Sequence, residues 1–323
     1  MGYVAGETIL DDEFNAFVAS SSDPYGFNHF AGTGATVYGL GQAAIPTVAG
    51  GTTTIAAAQW NSLLAGIDNI ANHTNDTMTA RTAVTAGDTI AIKSAVAADL
   101  ATLAASVAAG SPNATAISAG SELQSSRSGT RYAGSHIVEH SITFSNANEA
   151  RFFFNAGGKI RVNLTRVGNG GGSATDKDDS VDEMITAMGD FDIASLASTR
   201  SGTTETLTTD GLAIGFQDVT TSYQTVFLLT QANGTYTSMT LKGEIKANAT
   251  AGSTTVITIK MSLTDADGGD ILYTDGNTSS IDQFENFIGT TDFATKLMLP
   301  TTAQGLDPVY TLSASAEVSN TTA

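Results

Sequence analysis

The hydrophobic period of this chain changes near Ser135, and that switch constrains the fold more than any other feature. Upstream, Leu10, Phe14, Phe17 and Val18 share one helical face, and Trp60, Leu63, Leu64, Ile67 and Ile70 form a stripe at i, i+3, i+4, i+7 and i+10. A threonine of the Thr52-Thr53-Thr54 run is expected to cap that helix. Val96, Leu100, Leu103 and Val107 repeat the pattern with 4-3-4 spacing in an alanine-rich segment over about 91–109, which predicts a close helix–helix contact, internal or between subunits. Residues 25–53 read as an ordered loop or extended arm anchored by Tyr25, Phe27, Phe30 and Tyr38, and serine- and glycine-rich 110–133 reads as a linker. Downstream the period is two. Strands are expected near 136–144, 151–155, 159–167, 205–216, 224–231, 236–247, 254–264 and 309–319, with short helices over 182–196 and 281–287. The expected class is α+β: an N-terminal helical and arm region, residues 1–130, followed by a predominantly antiparallel β-sandwich region, residues 131–323.

The densest stretch runs from His140 to Val167. Ile142-Thr143-Phe144 and Arg151-Phe152-Phe153-Phe154 flank a polar connector, Asn155-Ala156-Gly157-Gly158 offers glycines for a tight hairpin, and Ile160, Val162 and Leu164 alternate with Lys159, Arg161 and Asn163. The reading is a hairpin whose three consecutive phenylalanines anchor a core. The string TFSNANEARFFFNAGGKIRV resembles a motif of structural proteins of tailed-bacteriophage virions, often described as tail-fibre-like. A second part of the resemblance lies in Tyr38-Gly39-Leu40-Gly41-Gln42, Thr54-Ile55, Gln59-Trp60-Asn61-Ser62-Leu63 and His73, so the matches span about residues 25–165. The family carries no catalytic motif that could be transferred.

Charged residues make up 14% of the 323 residues, well below the usual quarter, and threonine, serine, alanine and glycine take their place. Small uncharged surfaces of this kind suit β-rich proteins packed in repetitive assemblies. The net charge of −18 repels phosphate backbones and anionic headgroups, so neither nucleic acid nor membrane insertion is expected. The absence of cysteine removes disulfides, thiolate metal sites and cysteine nucleophiles together. The first residues lack the basic and apolar regions of a secretory signal, and position 6 is glycine where myristoylation expects serine or threonine.

His136-Ile137-Val138-Glu139-His140 matches the H-x-x-E-H zinc-hydrolase pattern, which needs both imidazoles on one face of a helix. The surrounding residues favour a strand, where the two histidines share a face about 13 Å apart, too far for one metal. Asp265, Asp267 and Asp270 resemble the opening of a calcium loop, but the glutamate expected at its twelfth position would fall on Gly276, and an acidic turn is the reading preferred. Asp176 to Glu183 reads as a solvated loop or helix start. No phosphate loop, G-x-S-x-G elbow or paired-carboxylate motif is present, so no catalytic or cofactor-binding residue is assigned and no cofactor is expected. Arg151, Lys159, Arg161 and Arg166 place positive charge on the hairpin of an acidic chain, as solvated edge charges or as a contact with an acidic neighbour.

The resemblance therefore implies a non-enzymatic structural component of a virion, assembled in the host cytoplasm. Such a chain is a tail, neck or fibre-type appendage that self-associates and docks to other virion proteins through its first 130 residues. Interface candidates are Trp60, Leu63, Leu64, Val96, Leu100, Leu103, Phe152, Phe153, Phe154 and Arg161. The alternatives are a capsid decoration or head-fibre protein, and a host-glycan-binding module.

Overall fold

The computed structural model describes residues 11–21, 25–32, 39–49, 55–74, 76–86, 88, 93–109, 117–132, 134–168, 176–202, 207–210, 212–231, 238–250, 252–266, 287–300 and 312–322. The chain is α+β and divides into two compact units. The units are not contiguous in sequence. Unit 1 comprises Met1–Ile117, Asn146–Gly158 and Pro300–Tyr310, and unit 2 the remainder. The sequence reading places one boundary near residue 130; the compact units instead part at Ile117, and two later segments rejoin the first unit.

Unit 1 holds α1 (Asp11–Val18), α2 (Phe27–Phe30), α3 (Ala57–Thr74), α4 (Lys93–Ala109) and α5 (Ala147–Asn155). Asp11, Asp12 and Glu13 sit in the first turn of α1, where the helix dipole favours acids. At the start of α3 the Gln59 side chain accepts the Ala56 N–H at 2.9 Å, while the expected threonine cap lies outside the described residues. The apolar stripes of α3 and α4 face one core that also takes Phe14, Phe17, Phe27 and Phe30. Trp60 is fully buried there, with Phe14 and Phe17 rings 6.1 and 6.0 Å away. The helix–helix contact expected of the alanine-rich segment is thus made inside the chain, by α3 against α4.

Unit 2 is built from two sheets. One has the order β1 (Ile117–Tyr132), β10 (Phe287–Pro300), β3 (Lys159–Val167), β4 (Phe191–Ile193), β5 (Ser198–Arg200). The other runs β11 (Leu312–Thr322), β2 (Gly134–Phe144), β9 (Val256–Asp265), β8 (Met239–Ala247), β7 (Gln224–Thr230), β6 (Leu207–Asp210). Burial alternates along β2 and β9 and along β3 as far as Leu164, so each gives one face to the interior. Phe191 of β4 meets Phe227 of β7 with ring centroids 5.0 Å apart, which sets the sheets face to face as a sandwich. Helix α6 (Asp176–Met188) packs on β3, β7 and β8. Arg166 fastens it, donating to buried Asp178 at 2.9 Å and to Asp182 at 2.6 Å.

Several sequence expectations change: the loop or arm expected over 25–53 contains α2, and of the strand expected over 205–216 the described residues show only β6. The Phe152–Phe154 run is helical, not a hairpin strand: the Asn146 side chain accepts the Asn148 and Glu149 N–H groups, and this cap starts α5. Gly157, at φ 93°, follows its C-terminus, so the glycines close a helix where a hairpin was expected. The linker expected over 110–133 contains the sixteen-residue strand β1. The helix expected over 182–196 starts earlier, at Asp176, and gives way to β4. That expected over 281–287 lies outside the described residues up to 286, and Phe287 opens β10.

Candidate functional site

Two polar constructions stand out, one in each unit. In unit 1, asparagines on three helices hold extended chain. Asn15 of α1 accepts the Val48 N–H at 2.8 Å and donates to its carbonyl at 3.0 Å; Asn28 of α2 does the same to Ile45, at 2.9 and 2.8 Å. Asn61 of α3 holds Val84 with both bonds at 2.9 Å. Each carboxamide presents one donor and one acceptor to a single residue, as a neighbouring strand would. Residues 76–85, which form no helix or strand, are further pinned by Ser106 to Asp76 at 3.0 Å and by the buried Arg81–Asp99 ion pair.

Helix α5 joins this unit through residues of both resembling segments. A side chain at Gly41, at φ +78°, would collide with the guanidinium of Arg151, so that close approach requires glycine. His73 stacks on Phe152 at 4.1 Å and takes a hydrogen bond from the Asn155 amide at 3.4 Å. Gln42 accepts from Asn69 of α3 at 3.3 Å. Burial, with Arg151's charge second, pushes the His73 pKa down to about 3, so the imidazole is neutral across the ordinary range.

In unit 2, His136 and His140 of β2 form a ladder between the sheets. Thr291 and Thr295, spaced alike on β10, meet the Nδ1 atoms at 2.8 Å each. On the other side His136 Nε2–H donates to Asn320 of β11 at 3.1 Å, and His140 Nε2–H donates to Ser125 of β1 at 2.7 Å. Ser125 in turn donates to Glu317 of β11. Burial lowers both imidazole pKa values; Asn320 and Glu317 oppose the shift at His136 and His140 respectively, and Arg127 adds to it at His136.

This arrangement is not wired as a hydrolase triad. A catalytic carboxylate would hold the imidazole Nδ1, leaving Nε2 to take the serine proton. Here the carboxylate sits on Ser125, Nδ1 faces a threonine, and Ser125 is 2% exposed. The strand reading of H-x-x-E-H holds: the histidines share a face, each ring nitrogen has its own partner, and among the described residues no group of three or more metal-binding side chains converges. Asp265 ends β9 and is buried, while Asp267 and Asp270 lie outside the described residues. No described helix is long and apolar enough to cross a membrane.

The interface candidates are mostly used within the chain. Trp60, Leu63, Leu64, Val96, Leu100 and Leu103 are core residues of unit 1, and Phe153 and Phe154 are fully buried. An apolar stripe reads the same whether it meets its own chain or another, and here it meets its own. Phe152 is half-buried against His73. Arg161 grips Asp192 across β3–β4 with two bonds, 2.7 and 2.8 Å, and Asp190 at 2.8 Å. Sequence reasoning missed Ser125, Thr291, Thr295, Glu317 and Asn320. The one available signal was that inward-facing histidines on a strand need polar partners, and Thr291 and Thr295 repeat their spacing.

Compared with family models, with curated proteins and with solved structures, the chain gives no match.

Proposed function

We propose that this chain is a structural component of a tailed-phage virion, a tail, neck or fibre-type appendage that works by self-association and docking to other virion proteins. The observation that carries the reading is spatial. The segments resembling virion proteins lie far apart in sequence, yet Arg151 packs over Gly41 and His73 stacks on Phe152. Segments that fit one another side chain to side chain behave as a single folded signature. The reading is further supported by the histidine ladder, whose polar groups are engaged in joining strands and leave no reactive centre there.

Antibody labelling of intact particles, beside mass measurement of the purified chain, tests this reading. Labelled particles and an oligomer in solution are the expected result. A strict monomer at high concentration that is absent from particles would end it.

A further inference from the structure

We infer that the C-terminal strand β11 exchanges between copies of this chain, the β11 of one copy seating on β2 of another. This rests on strand geometry and is independent of any role in a virion.

Among the described residues β11 is an edge strand, with β2 as its one sheet neighbour. Among its described side chains, Ala316 to Thr321, none is buried, and Val318 is 55% exposed, so over this stretch the hydrophobic effect contributes little. What holds it is an antiparallel ladder with two register shifts, at Leu312/Ala314 and Glu317/Ser319, and polar anchors. Asn320 takes the His136 N–H and donates to the Ser126 carbonyl at 3.4 Å, and Glu317 takes the Ser125 hydroxyl.

The strand beneath cannot stay bare. Departure of β11 would leave the β2 edge unpaired and would uncover His136 and His140, which are 1% and 2% exposed. A replacement must supply a backbone ladder, an amide oxygen opposite His136 and a carboxylate opposite Ser125, in one register. Those anchors select the sequence of β11 itself, so the fitting occupant is the same strand from a second copy. Every bond lost within one chain is then regained between two, and exchange is close to balanced in free energy.

The absence of cysteine makes a clean test possible. Ser141 and Ala316 are opposed in the β2–β11 register. The Ser141→Cys, Ala316→Cys double variant, diluted and oxidised, is expected to close a bond within one chain, which verifies the register. The two single variants are then mixed at high concentration, oxidised and read on a non-reducing gel. A covalent heterodimer is expected at several times the yield given by Ala316→Cys mixed with Ser222→Cys, an exposed site away from β11. Adding Asn320→Ala to the Ala316→Cys chain should lower the yield, because its β11 then lacks the amide oxygen that His136 of the other copy requires. Heterodimer no more abundant than in the Ser222 control would overturn the exchange, and a yield unmoved by Asn320→Ala would remove the anchor from it.

Discussion

The two units solve the burial of polar groups in opposite ways. In unit 1 the core of α1 to α4 is apolar, buried polar groups such as His73, Arg151 and Asn155 gather at α5, and Asn15, Asn28 and Asn61 hold extended chain against the helices. In unit 2 the polar groups are in the middle, where His136 and His140 stand between sheets and each finds two partners. The difference is one of geometry. Helices satisfy their own backbone and leave side chains free to hold what does not. A sandwich satisfies its backbone within sheets, so side chains between the sheets can link strands that share no ladder.

The contrast breaks hardest at the centre of unit 1. Trp60→Ala should cost about 3–5 kcal/mol, read by urea denaturation followed by circular dichroism. A loss below about 1 kcal/mol would mean that the helices do not depend on that core. In unit 2 the counterpart is Arg166→Ala, which removes the ion pair made to the fully buried Asp178 carboxylate and should cost about 3–5 kcal/mol. Replacing both partners by apolar residues should restore much of the loss.

Acid sharpens the comparison. The pKa values of His73, His136 and His140 lie below that of the unfolded chain, near 6.5, so the unfolded state binds more protons as pH falls. Stability contributed by these groups is complete above about 6.5 and drains below it, for His73 down to about 3. His73→Gln should flatten the acid limb reported by Trp60 fluorescence, and His136→Gln with His140→Gln the limb reported by β-sheet circular dichroism. Limbs unchanged in these variants would place acid sensitivity elsewhere.

Smaller effects follow at the rim. Asn15→Ala, Asn28→Ala and Asn61→Ala should each cost about 1–3 kcal/mol, because each leaves a donor and an acceptor without their partner. Arg161→Ala should cost no more than about 1 kcal/mol, since the guanidinium is 30% exposed and its ion pairs are screened. Thermal denaturation in low and high salt distinguishes the two classes.

How much of this was legible depended on whether burial left a period in the sequence. Helices α3 and α4 and strands β2, β3, β7, β8 and β9 bury one face in apolar residues, and all were read from that. β1 was missed because it is polar almost throughout, its buried Ser125 meeting a histidine and not the core. α5 was misread because three phenylalanines outweighed the better signal, an asparagine cap followed by Glu149 three residues on. The histidine ladder could be half seen. The shared face of His136 and His140 follows from strand period, but Thr291 and Thr295 lie 155 residues away, and no local pattern joins them.

The division into units carries a consequence for synthesis. The chain passes between units at five points, after residues 117, 145, 158, 299 and 310. A ribosome that has released the first 117 residues has made four helices but not α5, so Gly41 and His73 still lack Arg151 and Phe152. Completion of the first-made half therefore waits on translation of the second, and no single protease cut can free either half intact.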